Sequence, residues 1–481
     1  MASAQQGTRE APDRAGVIDQ VIKAYDIRGL VGSQLDATFV RDVGAAFARV
    51  LLDEESGLGS GRGVVVAHDM RESSPELAEA FAEGVTKLGV DVVAIGLAST
   101  DELYYASGAL DMPGAMFTAS HNPASYNGIK LCRAGAAPVG QDSGLDEIAA
   151  LLDRGPGEVT ADAPAERGTV SHRDLLEDYA EFLRSLVDLS GIRHLSIVVD
   201  AGNGMAGHTV PAVLDPLPIE VEPLFFELDG SFPNHEANPL DPDNLRDLQR
   251  KVITLGRVDA GLAFDGDADR VFLVDEKGDA VSPSAITALV ATRELAKHPG
   301  STVIHNLITS RAVPEIVTEA GGTPVRSRVG HSFIKGTMAE TGAVFGGEHS
   351  AHYYFRDFWR ADSGMLAALH VLAALGEQDR PLSELMAQYS RYAASGEINS
   401  TVDDPRAVMA EVEQTFGDRE GVTTDDLDGL TVSLPATGDR AASWFNLRPS
   451  NTEPLLRLNV EAADDDAVAA LRDEVLGLVR G

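Results

Sequence analysis

The sequence predicts an α/β protein with three similar mixed α/β domains and a C-terminal α+β domain arranged around a central cleft. Three observations lead to this prediction. Short apolar strands alternate with amphipathic helices through most of the chain, as in parallel sheets covered by helices. Three of these strands end in Phe and open into a polar loop. Beyond residue 385 closely spaced strands accompany two helices, which is typical of antiparallel pairing.

The composition is that of a globular protein with several cores. The 481 residues are 44% hydrophobic and 24% charged, and such a length suggests about three or four domains. No apolar run reaches the ~18 residues of a membrane span, and the polar start MASAQQGTRE lacks the plan of a signal peptide, so we expect a cytoplasmic protein. The single cysteine, Cys132, excludes an internal disulfide framework and a thiolate metal cluster.

The charge is strongly acidic, because 39 Lys and Arg face 75 Asp and Glu, a formal net charge of -36. A surface of this sign repels nucleic acid and anionic membranes, so we expect neither as a partner. A small anionic substrate is still allowed, since salt screens distant carboxylates within about 8 to 10 Å. Its site must then gather cations locally.

The domains follow from the order of the predicted elements. Residues 1–17 are polar and aperiodic, and we expect a disordered lead there. The first domain, 18–160, has strands at 63–69, 90–96 and 114–117 and helices at 74–89 and 100–110. The second, 161–275, has helices at 173–187 and 244–256 and strands at 195–202, 219–226 and 259–264. The third, 276–385, has helices at 282–298 and 310–321 and strands at 301–307 and 342–345. The last, 386–481, has strands around 395–402, 430–435, 443–449 and 455–462 and helices at 405–417 and 465–479.

The three Phe-ended strands close at Phe117, Phe264 and Phe345 and lead into TASHNP, DGDADR and GGEHSAH. Open parallel sheets bind ligands beyond the carboxyl ends of their strands, so the three loops are expected to converge on one cleft. In the first loop, Ser120 stands between Ala119 and His121. A serine hydroxyl is a weak nucleophile without help, whereas a phosphoserine is a good phosphoryl donor. Taken alone, the hexapeptide also fits a plain turn.

The second loop places Asp265, Asp267 and Asp269 at alternate positions, which are hard oxygen ligands suited to Mg²⁺ or Ca²⁺. An EF-hand is excluded, because Arg270 stands where that motif needs Gly and the flanking segments are predicted strands. A solvated acidic turn remains the alternative. Arg270 would offer a guanidinium to a phosphate beside the metal.

The third and fourth loops are suited to a sugar and a phosphate. Glu348 and Ser350 can read vicinal sugar hydroxyls, although a polar surface turn is also possible. The segment RPSNTEP combines the fork of Arg448 with hydroxyls and backbone N–H groups, and it lacks the glycines and Lys of a P-loop. Three further cations would complete the cleft, namely Arg28, Lys130 and His331.

Together and in this order, KAYDIRG, TASHNP, DGDADR, GEHSAH and RPSNTEP resemble the α-D-phosphohexomutase superfamily, and within it the bacterial phosphomannomutase/phosphoglucomutase branch, over about residues 21–457. The resemblance implies an intramolecular phosphotransferase that interconverts hexose 6-phosphate and hexose 1-phosphate, of mannose and/or glucose. It also implies a phosphoserine, a hexose 1,6-bisphosphate intermediate and activator, and Mg²⁺. The partner is then a small sugar phosphate, and the chain is a monomer or homodimer.

The resemblance also implies roles for individual residues. Ser120 would carry the phosphoryl group, with Lys130, Arg28 and His331 around it, and Ser120 would join the three aspartates Asp265, Asp267 and Asp269 at the metal. The substrate-binding set would be Tyr25, His121, Arg270, Glu348, Ser350, His352, Arg448, Ser450, Asn451 and Thr452. We expect Lys130 to exchange the hydroxyl proton with a pKa lowered by neighbouring cations, and a hinge near residues 380–395 to close the last domain over the cleft.

Two departures leave the substrate open. Ala351 stands where members usually have Gly, and HNLITSR lacks a lysine that contacts phosphate in some members. Within the mutases, a phosphoglucosamine mutase is the near alternative, although by resemblance the spellings TASHNP and GEHSAH lean away from it. A metal-dependent sugar phosphatase would pass the phosphate to water but leave the sugar and distal phosphate loops without a purpose. A catalytically silent sugar-phosphate sensor is the remaining possibility.

Overall fold

A computed structural model of the chain describes residues 14–54, 56–438, 441–449 and 455–481. These residues form four consecutive units, each built on its own sheet. Within the described ranges, every helix is too short or too polar to cross a lipid bilayer.

The first unit is a mixed sheet covered by helices. Its helices are α1 (Arg14–Val21), α2 (Ala37–Asp53), α3 (Ser74–Lys87), α4 (Thr100–Leu110), α5 (Leu145–Arg154) and α6 (Pro156–Val159). Its strands are β1 (Ile27–Leu30), β2 (Gly63–His68), β3 (Asp91–Leu97), β4 (Gly114–Phe117), β5 (Tyr126–Arg133), β6 (Ala137–Pro138) and β7 (Val170–His172). The strand order is β1-β5-β4-β2-β3-β7, with β6 beside β5. Strands β4, β2, β3 and β7 run parallel, and β5 and β1 close the sheet antiparallel.

Two predicted boundaries of this unit need correction. Helix α1 begins at Arg14 and buries Val17 and Ile18, so residues 14–17 do not belong to a disordered lead. The rest of that prediction, residues 1–13, lies outside the described residues. Strand β7 pairs with β3, so the first sheet continues past residue 160, where the first domain was expected to end. The acidic stretch before β7 carries the chain back to the edge of the same sheet.

The second unit has the strand order β12-β11-β10-β8-β9. Its helices are α7 (Leu176–Leu186), α8 (Ala206–Leu214) and α9 (Arg246–Leu255), and its strands are β8 (Leu195–Asp200), β9 (Ile219–Leu224), β10 (Ala260–Phe264), β11 (Val271–Val274) and β12 (Ala280–Val281). Strands β8, β9 and β10 are parallel, and the DGDADR loop joins β10 to the antiparallel β11. Because β12 pairs with β11, this sheet extends beyond the predicted boundary at residue 275.

The third unit has the strand order β14-β13-β15-β16-β17. Its helices are α10 (Pro283–Lys297), α11 (Ala312–Glu319), α12 (His331–Thr341), α13 (Gly364–Gly376) and α14 (Leu382–Ala387), and its strands are β13 (Thr302–Asn306), β14 (Thr323–Ser327), β15 (Phe345–Gly347), β16 (Tyr353–Phe355) and β17 (Ala361–Asp362). Phe345 begins β15 instead of ending it. Helix α13 is buried on nearly all sides, so it lacks the amphipathic pattern by which a surface helix is recognised.

The C-terminal unit is an antiparallel sheet with the order β18-β22-β21-β20-β19. Its strands are β18 (Ala393–Thr401), β19 (Thr423–Asp425), β20 (Leu430–Leu434), β21 (Ser443–Pro449) and β22 (Leu455–Ala462), and its helices are α15 (Pro405–Gly417) and α16 (Asp465–Val479). Its hydrophobic core is separate, whereas one continuous core joins the second and third units and reaches Tyr104 and Cys132 of the first. The first three units are therefore packed against one another through shared apolar contacts, whereas the fourth unit has a core of its own.

Candidate active site

The loop after β4 presents a serine in a strained backbone conformation. Ser120 has a φ of +49°, in the left-handed region that non-glycine residues rarely occupy, and is 5% exposed. Its N–H donates to Thr118 Oγ1 at 2.9 Å, which stabilises the turn. Its hydroxyl donates to Asp265 Oδ2 of the DGDADR loop at 2.7 Å. The first two predicted loops therefore meet at Ser120.

A buried arginine that the sequence reasoning missed holds this serine loop. Arg71, 2% exposed, donates to the backbone carbonyl oxygens of Ser120, Asn122, Pro123 and Tyr126 at 2.7 to 3.0 Å. Its Nε donates to Asp69 Oδ2 at 3.2 Å. One guanidinium thus holds three carbonyls of the loop and the carbonyl of Tyr126, the first residue of β5. The available signal was position, since Arg71 follows β2 at the same edge of the sheet as the loop after β4.

The three predicted aspartates form one buried cluster. Asp265, Asp267 and Asp269 offer oxygens that all lie within 4.8 Å of one another, and each residue is at most 1% exposed. Lys130 on β5 donates to Asp267 Oδ2 at 2.7 Å and to Asp269 Oδ2 at 2.6 Å. The remaining oxygens, Asp267 Oδ1 and Asp269 Oδ1, are buried without a hydrogen-bond partner. Buried, unpartnered carboxylate oxygens in a cluster of three aspartates are the donor set that a divalent cation requires.

Burial and the charges around the cluster shift the pKa values of Asp265 and Asp267 in opposite directions. Burial raises the pKa of Asp265 to about 7, although Arg270 opposes the shift. Burial also acts to raise the pKa of Asp267, but the Lys130 ammonium outweighs it and holds the value below its ordinary range. Asp267 is therefore a carboxylate at neutral pH.

Lys130 does not have the lowered pKa that we expected from the sequence. Burial does disfavour its charge, but Asp267 and Asp269 raise the pKa of Lys130 well above its ordinary value. The sequence suggests cations around this lysine, whereas its nearest charged neighbours in the structure are the carboxylates of Asp267 and Asp269. Lys130 is consequently an ammonium ion in this arrangement, and it is suited to stabilising negative charge.

Arg270 and His121 flank the serine hydroxyl. Arg270 donates through Nε and an η nitrogen to Asp265 Oδ2, and the same η nitrogen lies 3.4 Å from Ser120 Oγ and 2.7 Å from His121 Nδ1. Burial and the neighbouring arginines lower the pKa of His121 to about 2. Its imidazole is therefore neutral, and Nδ1 accepts a hydrogen bond from the Arg270 guanidinium.

Glu348, which the sequence predicts to bind sugar hydroxyls, is held in place by three hydrogen bonds. Glu348, 2% exposed, accepts from Tyr354 OH at 2.6 Å and from Asn306 Nδ2 and Gly330 N, each at 3.2 Å. Ser350 Oγ lies 3.1 Å from His352 Nδ1, and His352 Nε2 lies 3.9 Å from Asp269 Oδ1. The third loop thus reaches the aspartate cluster.

Ala351, one of the two departures noted in the sequence, has a φ of +65°. This left-handed conformation is accessible to glycine at little cost, which accounts for the glycine usual at this position. The alanine keeps the turn at the cost of backbone strain.

A cavity of about 190 Å³ joins these groups. Its wall includes Ser120, Lys130, Arg270 and His352, together with predicted residues of the first unit, Tyr25 and Arg28. Arg28 donates to Asn122 Oδ1 at 2.6 Å, and its Nε is buried without a partner. His331 begins α12, but its side chain lies outside the described residues.

The C-terminal unit places Arg448 near the third unit but outside the wall of this cavity. Its η nitrogens lie 3.8 Å from Glu397 Oε2 and 3.9 Å from Asp428 Oδ2. Asp428 Oδ2 also accepts from the N–H of Val329, next to the glycine that contacts Glu348. The other residues predicted for this loop, Ser450, Asn451 and Thr452, lie outside the described residues.

The fold and the site define a protein of successive α/β units that share one polar cleft, lined by a serine, aspartates and several cations. Family comparison agrees along the whole described architecture. Residues 19–156, 177–278 and 282–392 match "Phosphoglucomutase/phosphomannomutase, alpha/beta/alpha" domains I, II and III, and residues 397–478 match the C-terminal domain of that family.

Individual relatives extend over nearly the full chain. A phosphomannomutase of Salmonella montevideo is 40% identical over 466 residues, which cover 95% of this chain and 98% of the relative. A protein of Xanthomonas campestris pv. campestris described as "Phosphohexose mutases" is 41% identical over 463 residues, covering 95% and 99%. A crystal structure of a phosphoglucomutase/phosphomannomutase family protein from Burkholderia thailandensis has a TM-score of 0.83 at 30% identity and covers 97% of each chain. The chain belongs to the phosphoglucomutase/phosphomannomutase family, and the predicted fold class and phosphotransferase class are confirmed.

Proposed function

We propose that this phosphohexomutase interconverts the 6-phosphate and 1-phosphate of mannose and/or glucose through a phosphorylated Ser120 and a hexose 1,6-bisphosphate. The observation that carries the proposal is the position of Ser120 Oγ, 2.7 Å from Asp265 Oδ2 and in one cavity with Lys130, Arg270 and His352. A hydroxyl bonded to a buried carboxylate and surrounded by cations is equipped to exchange a phosphoryl group.

Mg²⁺ is the proposed cofactor, and the donor set fits it. Asp267 Oδ1 and Asp269 Oδ1 are buried and unpartnered, Asp265 lies within reach of both, and Ser120 would add a phosphate oxygen once phosphorylated. When bound, Mg²⁺ supplies positive charge that stabilises the transferring phosphoryl group. Removal of the metal with EDTA is expected to stop turnover, and excess Mg²⁺ is expected to restore it.

The protein's own residues would carry the transfer. The bond between Ser120 Oγ and phosphorus breaks while a bond forms from a sugar hydroxyl oxygen to the same phosphorus, so no phosphate is released. Lys130, as an ammonium, and Arg270 stabilise the equatorial oxygens during this exchange. The hydroxyl proton needs another acceptor, and the proposed acceptor is the imidazole of His352, which lines the same cavity. The bisphosphate then turns, and its second phosphate returns to Ser120.

The remaining loops would fix the sugar. Glu348, oriented by Tyr354, and Ser350 accept sugar hydroxyls, while Arg448 with Ser450, Asn451 and Thr452 grips the distal phosphate in either orientation. Tyr25, Arg28, His121 and His331 are proposed to surround the substrate. The proposed partner is thus a small sugar phosphate, and the proposed location of the enzyme is the cytoplasm. The net charge of -36 disfavours nucleic acid as a partner.

The test compares kcat/KM for mannose 1-phosphate, glucose 1-phosphate and glucosamine 1-phosphate, each with a trace of the matching 1,6-bisphosphate, with the products resolved by chromatography. We expect isomerised mannose or glucose phosphate. Preference for glucosamine 1-phosphate would identify a phosphoglucosamine mutase, inorganic phosphate would identify a phosphatase, and unchanged input would identify a sensor. Each of the last three results would refute the proposal.

A further inference from the structure

The first turn of α4 contacts the aspartate loop directly, although the family motifs named above do not include it. Thr100, the first residue of α4, is fully buried. Its Oγ1 donates to Asp267 Oδ2 at 2.6 Å, and its backbone N–H donates to the carbonyl oxygen of Asp267 at 3.0 Å. The side chain and the backbone of Asp267 are therefore both held by the same residue of another unit.

These bonds decide which oxygen of Asp267 is available. Oδ2 receives two donors, Thr100 Oγ1 at 2.6 Å and Lys130 Nζ at 2.7 Å. Oδ1 is buried and receives none. Because a carboxylate with one oxygen fixed by two donors cannot turn freely, the direction of the unpartnered oxygen is fixed as well.

The turn that carries Thr100 is itself anchored across three units. Asp101, fully buried beside Thr100, accepts from Tyr179 OH of α7 at 2.7 Å and from Ser363 Oγ, just before α13, at 2.6 Å. Its other oxygen accepts from Ser99 Oγ, the residue that also caps α4. The position of Thr100 is therefore set by the second and third units together with the first.

We propose that Thr100 is a positioning residue that orients Asp267 for the divalent cation. The inference rests on the proposed metal role of the aspartates. Groups that hydrogen-bond a metal ligand fix its orientation, and their loss typically weakens metal affinity about 10- to 100-fold. In Thr100→Val the side chain keeps its shape and the backbone bond to Asp267 remains, so only the hydroxyl bond is removed.

The experiment measures Mn²⁺ affinity of the full-length unphosphorylated enzyme, from the electron paramagnetic resonance signal of free Mn²⁺. We expect about 10- to 100-fold weaker binding in Thr100→Val, and affinity within about threefold of the original enzyme in Thr100→Ser, which keeps the donor. Thr86→Val is the matched control, because Thr86 is a buried helical threonine of the same unit whose hydroxyl donates only to Glu83 O of its own helix. The control should bind Mn²⁺ like the original enzyme, and circular dichroism melting establishes that each variant folds.

Asp267→Asn separates this inference from the proposed function. If Asp267→Asn abolishes Mn²⁺ binding while Thr100→Val leaves it unchanged, the positioning role is refuted and the metal assignment stands. Equal losses in Thr100→Val and Thr100→Ser would also refute it, since the hydroxyl would then not be the cause. If Asp267→Asn binds Mn²⁺ normally, the metal assignment fails, and the positioning role fails with it.

Discussion

The buried Glu102, in the same first turn of α4 as Thr100, is expected to make the stability of the protein depend on pH. Its side chain is 2% exposed, and Oε2 is buried without a hydrogen-bond partner. Burial raises the pKa of Glu102 from 4.5 to about 8, and the neighbouring Asp101 adds to the shift. The substitution Glu102→Gln keeps the shape of the side chain but removes its ionisation.

The direction in which pH changes the free energy of unfolding follows from the protons that Glu102 binds in the folded and unfolded states. Between pH 4.5 and about 8 the folded protein holds a proton on Glu102 that the unfolded chain has released, so the free energy of unfolding falls as the pH rises through this window. Each pKa unit corresponds to about 1.4 kcal/mol, and most of this window lies between pH 5 and pH 8. On going from pH 5 to pH 8, the free energy of unfolding of Glu102→Gln should increase by about 3 kcal/mol relative to that of the original protein.

The assay is differential scanning calorimetry of both proteins at pH 5 and pH 8. We expect the melting temperature of Glu102→Gln to rise relative to the original at pH 8 and to change little at pH 5. Glu79→Gln, a change at an exposed position of α3, serves as the control and should show no such difference. A melting difference for Glu102→Gln that is the same at both pH values would refute the reasoning, because ionisation would then contribute nothing.

Three further predictions concern catalysis. Ser120→Ala should lose turnover in a coupled assay even with bisphosphate added, whereas Ser125→Ala, an exposed position of the same loop, should retain it; activity in Ser120→Ala would exclude the phosphoserine. Arg448→Ala should raise KM about tenfold or more and lower kcat less, because it removes the charged contact proposed for the distal phosphate; an unchanged KM in steady-state kinetics would count against that pocket. Tyr354→Phe removes the 2.6 Å hydrogen bond to Glu348 and should lower kcat/KM about tenfold; an unaffected kcat/KM would show that Glu348 needs no such support.

The parts of the candidate site that lie in short contiguous motifs could be predicted from the sequence. Ser120 and the three aspartates stand in short loops directly after apolar strands, and such loops share one edge of a parallel sheet. Arg71 and Thr100 were not predicted, because an isolated arginine or threonine has no pattern of its own. Their roles arise from hydrogen bonds to Ser120 O and Asp267 Oδ2, which are 49 and 167 residues away along the chain.

The sequence by itself determined the α/β class, the four units and the polar loops, because periodicity and strand-to-loop transitions are local properties. The tertiary structure decided the electrostatics. Lys130 follows the serine loop in sequence and was expected among cations, but folding places its ammonium between Asp267 and Asp269 and raises its pKa. A pKa depends on burial and on charges brought from distant segments, so only the assembled units could set it.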